Sequence, residues 1–398
     1  MKKISVNVRY MLVQGLFWMI FCVGTGFVSL YLLGVGISNS AIGMVSAVFG
    51  AFSAILQPVL GRICDRRKNA SWKSMALICT SAFLLICILM SIFTGKIISS
   101  IFLGTLIMLA NLIMPFVNSA LFYYEGAGEY INFGVARGIG SGMYALLALL
   151  IGNLAAAYGI IILPVMGAIV AVLFILVIKT MPYDPEKDSS GNSGKNDDKA
   201  ADSSAGGSFI KKYPAFIIMI IAFIFSCTTH NITCIYLLQI IQNLGGDSTN
   251  LGTAVAIQAV LEVPVLFCFG ILIKKFSIST LMLVSSFGYV LKASLHFLSG
   301  SVTAIYFTQF SQMLSFAIFA SASVYYTGKT IADEDRNTGQ AMMASVIVIG
   351  TLIGSLIGGW LIDLCGIKTM LGVNIVIGAV GFVIACVAVM VEKRTKKS

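Results

Sequence analysis

The stretch Tyr123 to Tyr144, YYEGAGEYINFGVARGIGSGMY, sets two carboxylates, Glu125 and Glu129, and one guanidinium, Arg137, between two long apolar runs. A charged side chain in the middle of a bilayer costs about 2.5 kcal/mol or more, so charges next to such runs face a partner or a polar cavity. Away from the loops, the other pairing of this kind is Glu262 with Lys292.

Working outward, the chain is 58% hydrophobic and only 11% charged, with a mean hydropathy of +0.96. A soluble domain carries about 25% charged residues. A membrane-spanning helix needs about 20 mostly apolar residues, and on that measure the runs predict twelve spans at roughly 11–34, 39–60, 74–95, 98–122, 134–157, 160–179, 214–240, 251–273, 277–298, 303–327, 338–362 and 369–391. The expected fold class is an all-α membrane protein with twelve transmembrane helices in two pseudo-symmetric six-helix halves. Closed β-barrels are excluded, because their strands are short with alternating polarity.

The net charge of +10 raises nucleic acid as a partner, but its distribution argues against one. With the N-terminus inside, Lys96 and Lys368 fall outside and Arg137 and Lys292 within spans, leaving twenty-two of the twenty-six Lys and Arg on the cytoplasmic side. Basic residues concentrate on the cytoplasmic side of membrane proteins, so both termini are expected there, in a multi-pass protein of the cell membrane. Met1-Lys2-Lys3 before an apolar run imitates a signal peptide, yet the run is too long and lacks a small-residue cleavage site, so it reads as the first helix. The nine cysteines are scattered without a Cys-x-x-Cys pair and read as packing residues, with no metal site or cofactor expected.

Asp184 to Ser208 is rich in Ser, Gly, Asp and Lys, a composition that cannot bury enough surface to order itself. The predicted organisation is an N-terminal half 1–180, a flexible cytoplasmic linker 181–213 and a C-terminal half 214–398 with a short basic tail. The halves echo each other: Gly152-Asn153-Leu154 with Gly159-Ile160 recurs 207 positions later as Gly359-Trp360-Leu361 with Gly366-Ile367. Glycines three or four apart on helices five and eleven predict close helix approach.

After helix two comes Gln57-Pro58-Val59-Leu60-Gly61-Arg62-Ile63-Cys64-Asp65-Arg66-Arg67-Lys68. This run resembles the loop signature of the major facilitator superfamily, Gly-x-x-x-Asp-Arg with further basic residues, and the resemblance implies a cytoplasmic gate at Gly61, Asp65 and Arg66. Closer similarity is to the oligosaccharide:proton symporter, or lactose permease-like, branch. Phe52 to Asp65, Phe133 to Tyr144 and Ala256 to Pro264 carry it. On that resemblance Arg137 is a sugar-binding arginine, with Glu125 its partner acid and Glu129 the alternative. Ser141 lines the same site, Tyr144 underlies a sugar ring, and Glu262 joins substrate binding to proton coupling. Lys292 stands where the branch has an arginine. Gln309, Gln312 and Ser315 replace its helix-ten lysine, histidine and glutamate, so the proton machinery departs from the branch.

The chemistry of the residues points the same way. Arginine offers a rigid fork of donors for paired hydroxyls, and a flat aromatic seven residues along can cover a ring. Ser285, Tyr289, Lys292 and His296 fall on one face of helix nine, a polar stripe expected to line a cavity. His230 on helix seven is a second candidate for proton coupling, whereas His296, near the outer end, has solvent as its ordinary partner. Gln309 and Gln312 share a face and are candidate substrate ligands, with interhelical hydrogen bonding as the alternative. Trp18 reads as a packing residue.

The expected function is proton-coupled symport of a polar, hydroxyl-rich solute, an oligosaccharide first and a nucleoside second, by alternating access in a monomer. Proton-driven efflux of amphipathic drugs is the alternative, and a non-transporting membrane sensor is a third reading. An enzyme is not expected: the sequence has no metal-ligand cluster, Ser-His-Asp set or nucleotide loop.

Overall fold

The computed structural model describes residues 5–66, 71–183, 209 and 211–395. Of the expected linker 181–213, residues 184–208 and 210 lie outside the described residues, as do the side chains of Asp65 and Arg66. Among the described residues every regular element is a helix. They are α1 (Val6–Phe21), a π-helical turn (Cys22–Gly26), α2 (Val28–Gly34), α3 (Asn39–Arg66), α4 (Trp72–Ile92), α5 (Lys96–Gly126), α6 (Phe133–Tyr158) and α7 (Ile162–Thr180). After 209 follow α8 (Pro214–Ile235), α9 (Leu237–Gln242), α10 (Ser248–Lys275), α11 (Ile278–Leu298), α12 (Val302–Thr308), a 3-10 segment (Gln309–Met313), α13 (Phe316–Thr330) and α14 (Arg336–Thr395).

Eleven of these stretches are long and apolar enough to cross a membrane, and the last, Thr338–Arg394, runs to 57 residues. At 1.5 Å per residue that is about 85 Å, far more than the roughly 30 Å of hydrocarbon a single span crosses. Gly366, at φ 80° and ψ 171°, breaks it into two helices, which gives the expected twelve spans. Surfaces exposed on the helices are apolar, as at Met44, Phe52 and Ile55 of α3, which suits contact with lipid rather than water.

Two compact units form: residues 1–195 with 246–260, and residues 196–245 with 261–398. In the first, helix ends are tied by polar contacts to the end of α7. Arg9 donates to the Thr180 carbonyl, Lys73 Nζ to the Met181 carbonyl at 2.6 Å and the Tyr124 hydroxyl to the Pro182 carbonyl at 2.6 Å. The last carbonyls of a helix have no partner within it, and donors from neighbouring helices satisfy them here. The Gln57-Pro58 motif has a similar explanation. Pro115 within α5 has no N–H to offer the carbonyl of Asn111 four residues back, and Gln57 Nε2 of α3 donates to that oxygen at 3.1 Å.

The internal echo has a conformational cause. Gly159 (φ 77°) and Gly366 (φ 80°) both take the left-handed turn that ends a helix, as do Gly36 (φ 84°) and Gly245 (φ 80°), a second matched pair. Side chains with a Cβ rarely adopt that conformation, so the same turn selects glycine in both halves.

Close approach is equally concrete. A Cβ on Gly354 would lie 2.8 Å from the Thr228 carbonyl and one on Gly358 2.5 Å from the Tyr236 ring, so the first half of α14 packs backbone-close to α8. Gly152 and Gly252 meet in the same way in the first unit, where a Cβ on Gly152 would be 2.8 Å from the Gly252 Cα. Gly142, by contrast, faces open space.

In the second unit, Lys212 pairs with Glu334 at 2.5 Å and Asp335 at 2.8 Å. The Tyr213 hydroxyl also donates to Asp335 Oδ2 at 2.8 Å, which fixes the entry to α8 against the connection before α14. Hydrogen bonds from Lys212 and Tyr213 hold the Asp335 carboxyl below its ordinary range, and the two acids hold the Lys212 ammonium above its own. A lowered carboxylate pKa contributes stability that is complete above the ordinary value and lost as pH falls through the lowered one; the raised lysine contributes until pH climbs through its raised value. The clamp is therefore intact at neutral pH and opens in acid. Hydrogen exchange at the Ala332 amide, which donates to the Tyr213 hydroxyl, should accelerate below about pH 4 beyond the change in intrinsic rate, and in Lys212→Ala should be fast already at neutrality.

Candidate functional site

Two polar clusters interrupt the apolar interiors, one in each unit. In the first unit, Arg137 projects from the first turns of α6 toward α1. Its guanidinium carbon sits 3.8 Å from the centroid of the Trp18 ring, and Nη1 donates to Ser141 Oγ at 2.7 Å. Gly140 makes this approach possible, since a Cβ there would meet Trp18 Cδ1 at 2.4 Å. One turn further along α6, the Tyr144 hydroxyl reaches the π-helical turn, where a Cβ on Gly26 would be 2.7 Å away, and it hydrogen-bonds with Cys22. Single π turns within α-helices recur at functional sites, because the extra residue re-aims side chains.

Arg137 and Ser141 are thus in contact, and Tyr144 lies about one turn further along α6 against the π-helical turn. Glu125 and Glu129 are exposed, in the last turn of α5 and the connection that follows, and the contacts of Arg137 include Trp18 and Ser141. The sequence reading treated Trp18 as packing; in the fold it is the surface on which Arg137 lies. Asn118 and Gln14 act between helices, with Gln14 Nε2 donating to the Tyr10 hydroxyl at 2.8 Å and to Asn118 Oδ1 at 3.4 Å.

The second cluster is built where α11 faces the 3-10 segment that interrupts the tenth span. Lys292 is 2% exposed and Gln312 fully buried. Lys292 Nζ donates to Gln312 Oε1 at 2.7 Å, and Gln312 Nε2 donates to Glu262 Oε1 at 2.8 Å. The amide is held in one orientation, with its oxygen to the ammonium and its NH₂ to the carboxylate; a flipped amide would lose both bonds. Glu262 and Lys292 are therefore coupled through Gln312. Pro264 in α10 lies two residues beyond Glu262 and leaves the Val260 carbonyl without its helical donor.

The stripe on α11 is buried along its length: Ser285, Tyr289 and His296 are each 1% exposed or less. Ser285 Oγ donates to the Ser315 carbonyl at 2.8 Å. His296 is not solvated as the sequence suggested. Its Nδ1 lies 2.8 Å from the Lys292 carbonyl and its Nε2 3.5 Å from Thr308 Oγ1. Gln309 Nε2 donates to the Ile305 carbonyl at 3.1 Å and to Thr308 Oγ1 at 3.2 Å, while its Oε1 and the Tyr289 hydroxyl are buried without a hydrogen-bond partner. Such atoms carry a desolvation cost of about 1–3 kcal/mol each and are the natural places for a ligand or water to bind. His230 of α8 stacks on Phe316 at 4.9 Å, stands edge-on to Tyr289 at 5.5 Å and lies 3.6 Å from the Cys234 sulfur. Gly61, the first residue of the expected gate, has open space around it. No group of three or more His, Cys, Asp or Glu that could hold a metal occurs among the described residues.

The fold is shared with transporters of known structure. The nucleoside transporter NupG superposes with a TM-score of 0.76 at 15% identity, covering 97% of this chain and 99% of the other. A D-xylose-proton symporter gives 0.71 at 15% identity, covering 96% of each chain. A bacterial homologue of the human lysosomal transporter Spinster, in an inward-facing and occupied conformation, gives 0.69 at 14%, covering 97% and 96%. No curated protein matches the sequence. Residues 10–373 match the MFS_1 like family, and the chain belongs to that family, among transporters of the major facilitator fold rather than enzymes.

Proposed function

We propose that the protein is a secondary transporter that couples proton entry to uptake of a polar, hydroxyl-rich solute by alternating access. The observation that carries this reading is the Glu262–Gln312–Lys292 bridge, with Gln312 and Lys292 buried and Glu262 half-buried. In that bridge the carboxylate accepts from the amide, whose own oxygen accepts from the ammonium, so the acid keeps these contacts only while α10, α11 and the 3-10 segment hold together. We assign the transported proton to this carboxylate, taken up when the bridge opens. Proton uptake is thereby tied to rearrangement of α10 and α11 around the 3-10 segment.

Solute recognition goes to Arg137, Ser141 and Tyr144, which together offer a donor fork, a hydroxyl and a flat ring. Gln309, Gln312 and Lys292 offer further donors and acceptors, and His230 is the second titratable group of the proton cluster. Oligosaccharides are the first substrate class and nucleosides the second, in line with structural neighbours named as a nucleoside transporter and a xylose-proton symporter. We place the protein in the cell membrane as a monomer with cytoplasmic termini, with the halves 1–180 and 214–398 as the moving bodies and Gly61, Asp65 and Arg66 as the cytoplasmic gate.

The test is uptake of labelled sugars and nucleosides into proteoliposomes with an imposed pH step. Wild type should accumulate a solute only with the gradient. Glu262→Gln should lose accumulation while exchange at equal pH continues. Accumulation that persists in Glu262→Gln, or that follows sodium, rejects proton coupling at Glu262, and absence of uptake with extrusion of amphipathic cations turns the assignment to efflux.

A further inference from the structure

Trp18 bears a cost that its packing does not explain. Its indole Nε1 is buried without a hydrogen-bond partner, and it is inserted so tightly that a Cβ on Gly140 would stand 2.4 Å from Cδ1 and 3.1 Å from Nε1. Phenylalanine would fill much of the same volume and carry no donor to be stranded. Phe17 and Phe21 on the same helix meet the indole edge-on at 5.4 and 5.2 Å, so apolar aromatic contact is already supplied there. What indole adds is the most negative face of the three aromatic side chains, and that face carries the Arg137 guanidinium at 3.8 Å.

We propose that Trp18 is a positioning residue for solute recognition. It holds the guanidinium of Arg137 flat, with Ser141 fixing one end at 2.7 Å, so that the plane of the fork is set before a solute arrives. A planar pair of donors matches two adjacent ring oxygens, so the solute class is one with a vicinal diol. This rests on the proposed function, since it assigns Arg137 to solute binding. Long unbranched side chains lose the most rotamer freedom when fixed, and an arginine fixed before the solute arrives does not charge that loss to binding.

The experiment compares wild type with Trp18→Phe, backed by Trp18→Leu, in three readouts. Thermal unfolding in detergent should find Trp18→Phe no less stable than wild type, because the stranded donor is gone. Uptake should find its KM raised about tenfold, the factor that 1.4 kcal/mol of binding represents, with maximal rate little changed and the preference for a vicinal-diol solute over its deoxy analogue reduced. Phenylglyoxal labelling of Arg137, read by mass spectrometry against Arg9 and Arg336 as internal references, should accelerate several-fold in Trp18→Phe and more in Trp18→Leu. Unchanged labelling, or faster labelling with unchanged KM and preference, overturns the proposal. Labelling needs no solute, so a wild type that takes up nothing from the panel defeats the proposed function, and the labelling arm still decides whether Trp18 holds Arg137.

Discussion

Lys292→Met should abolish gradient-driven accumulation and destabilise the protein by about 3 kcal/mol, the lower end of the cost of removing one partner of a buried ion pair. The ammonium is almost wholly buried and donates to Gln312 Oε1. Without it, a buried amide oxygen loses its donor and the Glu262 carboxylate loses the charge that balances it through the amide. Replacing both charges, Glu262→Gln with Lys292→Met, removes the imbalance and should recover at least half of the lost stability, although transport stays absent. Urea unfolding of the two single variants, the double variant and wild type gives the coupling directly. If the double variant is no more stable than Lys292→Met, the two charges act independently and the bridge is not the unit proposed here.

Much of the architecture was legible from sequence because lipid leaves the backbone so few options: apolar runs of spanning length have to be helices. The halves announced themselves through Gly159 and Gly366, whose shared left-handed turn only glycine takes easily. The matched pair Gly36 and Gly245 carried the same signal, without flanking identity to draw attention to it.

The candidate sites were legible in part. Arg137 and Ser141 are four apart on one helix, so their contact follows from helical geometry alone. The ring beneath Arg137 does not, because it comes from another helix: packing of α1 on α6 supplies Trp18. The signal available was Gly140, a gap opposite a large side chain, but a glycine does not name what fills it. His296 was misjudged for a similar reason: distance from a helix end predicts solvation only where the helix end is free, and here Thr308 and the start of the tenth span cover it. The interruption of that span did leave a trace, since Thr308, Gln309, Ser311, Gln312 and Ser315 crowd it with polar side chains and its mean hydropathy of 1.2 is the lowest of the eleven spanning stretches.

Gly288→Val should be strongly damaging to the second unit, and its cause is steric rather than electrostatic. A Cβ at 288 would lie 2.8 Å from the Leu314 carbonyl carbon and from the Ser315 nitrogen, and 2.9 Å from the Leu314 oxygen. All three are backbone atoms, so no rotamer change relieves the contact, and α11 must move off the segment around Gln309–Met313. Overpacking of this kind costs about 1–3 kcal/mol, and here the displacement falls four residues from Lys292, whose 2.7 Å bond to Gln312 does not survive a shift of an ångström. Ser285 would lose its bond to the Ser315 carbonyl in the same movement. We expect a transport-dead protein with a lowered unfolding midpoint, whereas Gly142→Ala, in open space on α6, should leave both stability and uptake near wild type. Uptake and unfolding of the two variants side by side separate a contact-specific effect from a general intolerance of added bulk. If Gly288→Val transports normally, α11 tolerates displacement from the 3-10 segment, and the geometry of the Glu262–Gln312–Lys292 bridge does not set the rate.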